Sequence, residues 1–270
     1  MKKFLSAILS FAMIFALSIP AFAADITVAP TETVTNEYQS MLELQKISNA
    51  TLAAEGYTPS EIETIRNTDQ IFDDHIALLN TLSDNSLQTA GYTVDQIRGI
   101  RNYDPDSATV NEKVALSAEC VTTSTIDNYT GTTGRVTSEF EWVGVPAFKM
   151  TDILITAWNN WQITGKSANI KYSHINGTEP SYWQSPTYQK PESGSGYSYN
   201  AALQDNYFYA SEGYSIFVLS RQSSSHLETI SRVSHQQGIA TLNYSISSGF
   251  DIGISIGRKL LGDGHDETPA

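Results

Sequence analysis

The residues able to do chemistry in this chain are few and scattered. Its five histidines stand at 75, 174, 226, 235 and 265. There is no His-Glu-x-x-His for zinc hydrolysis, no Gly-x-Ser-x-Gly turn for a serine nucleophile, and no phosphate loop ending in Gly-Lys-Ser/Thr. His226 and Glu228 share an expected strand face with Arg232, with His174 a distant candidate to join them; the spacing is that of a solvated face rather than an acid–base pair. A glycosidase needs two carboxylates flanking its substrate, whereas Glu139 and Glu141 have the spacing of ordinary outward residues on one strand. Asp73-Asp74 and Asp104-Pro-Asp106 suggest calcium, yet an EF-hand counted from Asp104 would put Thr109 and Ala115 where it needs Gly and Glu. Asp263-Gly-His-Asp-Glu reads as a polar tail. Cys120 is the only cysteine, so neither an internal disulfide nor a cysteine zinc cluster can form. It is expected as a buried small apolar residue. No catalytic residue, no metal and no cofactor are expected.

Two features rise above this background. All four tryptophans and ten of the fourteen tyrosines lie between residues 129 and 244. The stretch from His174 to Asn200 is rich in Pro, Gly, Ser and Tyr and reads as a long connection, of the kind that is usually functional or disordered. Tyr182, Trp183, Tyr188, Tyr197 and Tyr199 are its candidate ligand-binding residues, because amphipathic aromatics on a polar loop stack on sugars or partner surfaces. Trp142 and Trp158 are expected in the core. The second feature is the run from Tyr244 to Gly257, where Tyr244, Ile246, Phe250, Ile252, Ile254 and Ile256 alternate with small or polar residues. A pore-forming hairpin needs that pattern, and so does a half-buried sandwich strand. Ser247-Ser248-Gly249 is its expected turn.

The elements that position these residues follow two different periodicities. In the first half, Leu52, Gly56, Tyr57, Thr58, Ile62, Ile65, Arg66, Asn67 and Asp69 recur 35 residues later as Leu87, Gly91, Tyr92, Thr93, Ile97, Ile100, Arg101, Asn102 and Asp104. Met41, Leu44, Ile47 and Thr51, then Ile76, Leu79, Leu82 and Ser86, mark an amphipathic helix in each copy. Gly56 and Gly91 end those helices. Thr58-x-x-Glu61 and Thr93-x-x-Gln96 are capping boxes that start the next ones, with Tyr57–Ile62 and Tyr92–Ile97 at staple spacing. Four short helices in two tandem hairpins result, and the shared Arg-Asn-x-Asp is expected to cap and pair at the surface.

After about residue 115 the pattern alternates. Val136, Ser138, Phe140 and Trp142 share one face and Arg135, Thr137, Glu139 and Glu141 the other. Runs at 151–158, 161–175, 214–221, 226–236 and 238–257 are rich in β-formers, which predicts an antiparallel sandwich of seven to nine strands. The expected fold is α+β: tandem helical hairpins followed by an antiparallel β-sandwich. The segment Phe140-x-Trp142-x-x-x-Pro146-x-x-x-x-Thr151-Asp152, continuing to Trp158, resembles a pattern in small secreted proteins of Gram-positive bacteria. That resemblance implies a β-rich fold outside the cytoplasm and no particular activity.

Address and partners follow from the ends and the charge. Met1-Lys2-Lys3, an apolar run from Phe4 to Ile19, Pro20 and Ala21-Phe22-Ala23 form a bacterial signal peptide. The run is too short for a membrane span of about 20 residues. No cysteine follows it to carry a lipid, and the C-terminus has no apolar sorting tail, so a secreted, unanchored protein is expected. The parts expected are the signal peptide at 1–23, a linker at 24–36, the helical repeat at 37–113, the β-sandwich at 114–261 and a polar tail at 262–270. Residues 25–119 hold 16 acids against 5 bases and residues 120–270 hold 13 against 9, within a formal charge of −13 for the whole chain. Such acidity opposes nucleic acid, whose binding needs phosphate neutralisation, and anionic lipid or wall polymer. The reading is a non-enzymatic extracellular binding or structural protein whose partner is a glycan or a protein. The alternatives are a membrane-active β-pore former and a secreted hydrolase of unrecognised type.

Overall fold

Threonine and serine side chains decide where five of the seven described helices begin. The computed structural model describes residues 30–54, 57–130, 132–148, 152–158, 161–177, 179–189, 196–201, 208–221, 227, 229–235, 242–246 and 252–256. Its helices are α1 (Glu37–Gln45), α2 (Asn49–Ala54), α3 (Pro59–Arg66), α4 (Thr68–Leu79), α5 (Asp84–Thr89), α6 (Val94–Arg101) and α7 (Val110–Leu116). Both expected capping boxes form, at Thr58–Glu61 and Thr93–Gln96, and Thr109–Glu112 makes a third before α7. Each single helix expected at the start of a repeat is broken in two. Ser48 and Ser83 accept the N–H groups of Thr51 and Ser86, each at 3.1 Å, and start a fresh turn as α2 and α5. A serine that bonds the backbone three residues on competes with continuation of the helix before it. The two breaks turn four expected helices into six, and α7, started by the Thr109–Glu112 box, makes seven among the described residues.

The repeat is also a repeat of bonding. Arg66 donates to the carbonyls of Gln45 and Ile47 and to Asn49. Thirty-five residues on, Arg101 donates to the carbonyls of Asn80 and Leu82 and to Asp84. Each guanidinium fastens the carbonyls at the end of one helix to the start of the next, where cations also favour the helix dipole. Arg101→Ala is expected to cost about 1–2 kcal/mol, read as a lower urea midpoint; an unchanged midpoint would show that the clamp contributes nothing.

Twelve strands are described: β1 (Thr31–Asn36), β2 (Glu119–Asp127), β3 (Thr133–Val143), β4 (Asp152–Trp158), β5 (Gln162–His174), β6 (Tyr182–Gln184), β7 (Tyr188–Gln189), β8 (Gly196–Ala201), β9 (Phe208–Ser220), β10 (Thr229–His235), β11 (Leu242–Ile246) and β12 (Ile252–Ile256). They form an antiparallel six-stranded sheet in the order β1-β2-β3-β9-β5-β6, a four-stranded sheet β10-β4-β8-β7, and the pair β11-β12. The fold is mixed α+β. Three differences from expectation matter. Eleven strands follow residue 114 instead of seven to nine. Residues 31–36, read as linker, are an edge strand. The stretch 174–200, read as a connection, carries β6, β7 and β8.

Alternation holds along β3, where Val136, Ser138, Phe140 and Trp142 are buried. One hydrophobic cluster runs from Tyr38, Met41, Leu44, Phe72 and Ile76 in the helices to Cys120, Phe140, Trp142 and Tyr172 in the sheet. Residues 144–148, just after β3, tie the two together. Gly144 N–H donates to the Ala90 carbonyl at 2.8 Å, His75 Nε2 lies 2.9 Å from the Val145 carbonyl, and Val145 N–H donates to the Tyr92 hydroxyl at 3.1 Å. Gly144 has φ +93°, and a Cβ there would stand 3.1 Å from Tyr92 Cζ, so the close approach needs glycine.

A second cluster holds Ile126, Val136, Trp158, Trp161, Phe217 and Leu219. Between the clusters, Ser124, Ser138 and Ser215 are register partners on β2, β3 and β9. Thr156 of β4 donates to Ser138 of β3 at 2.8 Å, a bond between the four-stranded and six-stranded sheets. Among the described residues, no helix is long and apolar enough to cross a membrane. The signal-peptide, turn and tail expectations at 1–23, 247–249 and 262–270, and the residues Gly56, His226 and Glu228, lie outside the described residues.

Candidate functional site

The five aromatic candidates are divided among three environments. Tyr188 on β7 and Tyr197 and Tyr199 on β8 turn inward. Tyr197 stacks on Phe217 at 5.7 Å and on Trp158 at 6.1 Å, and Tyr188 meets Tyr199 edge-on at 6.1 Å. Tyr199 is fully buried, and among the described residues neither its hydroxyl nor that of Tyr188 has a hydrogen-bond partner. Burial, then the neighbouring phenols, raises both; Tyr188 is pushed up to about 12. The Lys166 ammonium caps this group, 4.2 Å from the Tyr197 ring centre and 4.6 Å from that of Tyr188, a cation–π arrangement. These three tyrosines and their lysine pack together as a rim of the core, with their rings rather than their hydroxyls making the contacts.

Tyr182 and Trp183 stand apart from them, and from each other, because consecutive strand residues point to opposite faces. Tyr182 is the register partner of Tyr172 and stacks on it at 5.4 Å, with Phe208 at the same distance. Trp183 is the partner of Lys171 on the opposite face and leans on Tyr214 at 6.0 Å. Trp183 is 44% exposed, whereas Trp142, Trp158 and Trp161 are all buried.

The register shows what surrounds Trp183. One row of partners crosses the outer face of the six-stranded sheet as Val34, Val121, Glu141, Glu212, Lys171 and Trp183. The neighbouring row reads Glu32, Thr123, Glu139, Tyr214 and Asn169. Lys171 binds Glu212 at 2.8 Å, and Asn169 donates to the Tyr214 hydroxyl at 3.2 Å. Desolvation against the sheet, then the Glu212 charge, holds the Glu139 and Glu141 carboxyls above their usual range. Sequence reasoning placed Glu139 and Glu141 outward but could not add Glu212, Tyr214 and Lys171, because the pairing of β3 and β5 with β9 joins these residues across 41 to 75 positions.

The other sequence candidates have structural duties. Asp73 binds Lys113 at 2.8 Å and accepts from Tyr103. Asp104 accepts from Ser107 at 2.7 Å and from the Asp106 N–H. Cys120 is buried. An open depression of 310 Å³ beside α6 and α7 is lined by Tyr103, Ala108, Ala115 and Leu116 together with the capping residues Asn102, Asp104 and Glu112. Among the described residues no three His, Cys, Asp or Glu side chains gather to hold a metal ion. What the outer sheet face can do chemically is stack and attract charge.

No family model matches the chain, and no curated protein matches it either. The likeness of 140–158 to small secreted Gram-positive proteins thus stands on those residues alone. Among solved structures the chain is similar to the KRT10-binding region domain of the pneumococcal serine rich repeat protein PsrP, at 12% identity over 43% of this chain and 78% of that chain, with a TM-score of 0.24. A likeness at that level carries no argument about fold or function.

Proposed function

We propose that the protein is exported and works outside the cytoplasm as a non-enzymatic binding or structural protein, engaging its partner through the outer sheet edge at Trp183. In this reading the facing sheets act as a β-sandwich scaffold, and the paired helices act as hairpins that buttress one end. The carrying observation is the exposure of Trp183 beside Tyr214 when the other three tryptophans are buried. Exposed aromatic anchors on a rigid element are the residues that dominate recognition surfaces. The test is co-sedimentation of the purified protein with insoluble cell walls and polysaccharides, beside intact liposomes. Pelleting with walls or glycans that Trp183→Ala reduces at least tenfold is the expected result. Pelleting that ignores this substitution removes Trp183 from the site.

A second reading, a membrane-active β-pore protein, is favoured by the register of β11 and β12, which sets Leu242, Tyr244 and Ile246 opposite Ile256, Ile254 and Ile252. Each described strand has five residues, about half of what a tilted membrane strand needs. Dye release from liposomes would support this reading, and inertness towards vesicles of varied composition would end it. The hydrolase alternative gains no constellation among the described residues.

A further inference from the structure

The outer face of the six-stranded sheet has a pattern that selects one kind of partner. Its two edges carry exposed apolar side chains, Val34 at 52% on β1 and Trp183 at 44% on β6. Among the described residues its middle carries Glu139, Glu141 and Glu212 against one cation, Lys171, which is already paired to Glu212. We propose that this face docks a basic polypeptide segment, with Lys or Arg at its centre and an apolar residue towards each end. The proposal rests on Trp183 being a contact residue and adds the chemistry of the partner.

Charge complementarity commits the occupant. Glu139 and Glu141 stand two residues apart on one strand, have Glu212 alongside, and form no ion pair among the described residues. Like charges held together on a rigid sheet repel, so a partner's cation entering between them gains the attraction and also relieves the repulsion. Guanidinium fits best, since its planar fork engages a carboxylate through two hydrogen bonds. Dimensions agree. Neighbouring strands lie about 4.8 Å apart, so the five steps from β1 to β6 span about 24 Å, which about seven extended residues cover. A divalent metal is a poorer occupant, because no group of three ligating side chains gathers here among the described residues.

The experiment compares two synthetic octapeptides, one with four central arginines between leucine and tryptophan ends, the other with glutamine replacing arginine. Fluorescence anisotropy is read on the wild-type protein, on Glu139→Gln/Glu141→Gln, on Trp183→Ala, and on Glu63→Gln/Asp106→Asn, which makes the same change in net charge in the helical half of the chain. The arginine peptide is expected to bind wild type at least tenfold more tightly than the glutamine peptide. The sheet double variant is expected to weaken it tenfold or more and Trp183→Ala fivefold, with the helical control within twofold of wild type. Equal weakening by both double variants, or no preference for arginine, overturns the proposal. Because Trp183 is the exposed tryptophan, caesium should quench fluorescence more than iodide in wild type, and the gap should close in the sheet variant. That reading separates a lost charge from a misfolded face. If walls or glycans pellet the protein through Trp183 while the arginine peptide is ignored, the Trp183 reading stands and the basic partner falls. If Trp183→Ala changes neither, both fall.

Discussion

Replacing Glu37 by alanine is expected to destabilise the protein by about 3–5 kcal/mol. The side chain is fully buried at the start of α1, and its two carboxylate oxygens accept the N–H groups of Ala147 and Phe148, both at 2.9 Å. Both donors belong to buried residues, so deletion leaves two amides without partners in a dry interior. Each orphaned group costs about 1–3 kcal/mol, and the bonds lost were to a charged acceptor. Glu37→Gln should recover part of the loss, since its amide keeps one acceptor oxygen but turns an NH2 towards a donor. Urea unfolding at neutral pH provides the measurement. The midpoint should fall sharply for alanine, less for glutamine, and the slope should stay constant if the same surface is exposed. A loss under about 0.5 kcal/mol for alanine, the scale of an ordinary surface change, would show that the segment 144–148 is held by its other bonds to Ala90, Tyr92 and His75.

Lys113→Met carries the second largest effect, about 2 kcal/mol. The ammonium lies 3.0 Å from Asp69 and 2.8 Å from Asp73, while Tyr38 and Tyr103 donate to the same two carboxylates at 2.5 Å. Breaking a fully buried pair costs about 3–5 kcal/mol, but the Asp69 side chain is 63% exposed, and solvent screens that half of the network. The pH dependence distinguishes charge from packing. The Tyr38 hydrogen bond, then Lys113, holds Asp69 below its ordinary 3.8. Its contribution is therefore complete above that value and is lost as pH falls through the lowered one. Burial opposes the charge of Lys113, but Asp73 and Asp69 outweigh it and hold the ammonium above its ordinary 10.5. That contribution is complete below 10.5 and is lost as pH rises through the raised value. The gap in stability between wild type and Lys113→Met should be flat between these limits and shrink below pH 3.8. A gap unchanged at pH 2–3 would assign the loss to side-chain packing alone.

Neither network is legible in the sequence, although Glu37 and the whole Lys113 network lie in the half of the chain whose local grammar is clearest. Asp73 and Asp69 are adjacent turns of one helix, yet their cation comes from α7 about forty residues on and their phenols from two other segments. Glu37 reads as an ordinary acidic residue in the first turn of a helix, where the dipole favours it. Its burial follows only from where the chain returns after β3.

What the amino-acid sequence determined by itself is what depends on near neighbours. The capping boxes, the left-handed Gly91, the 35-residue period and the alternation along β3 all act within a few residues, so their outcome is set before any tertiary contact forms. The runs at 151–158 and 161–175 became β4 and β5 for the same reason. Tertiary structure decided the rest. Trp183 and Tyr188 looked equivalent in one aromatic stretch, but pairing with β5 turned Trp183 outward, while pairing with β8 turned Tyr188 onto Phe217. Strand register is set by distant partners, and a shift of one residue exchanges the two faces of a strand. For that reason the acidic face from Val34 to Trp183, drawn from six strands, exists only once the sheet has formed.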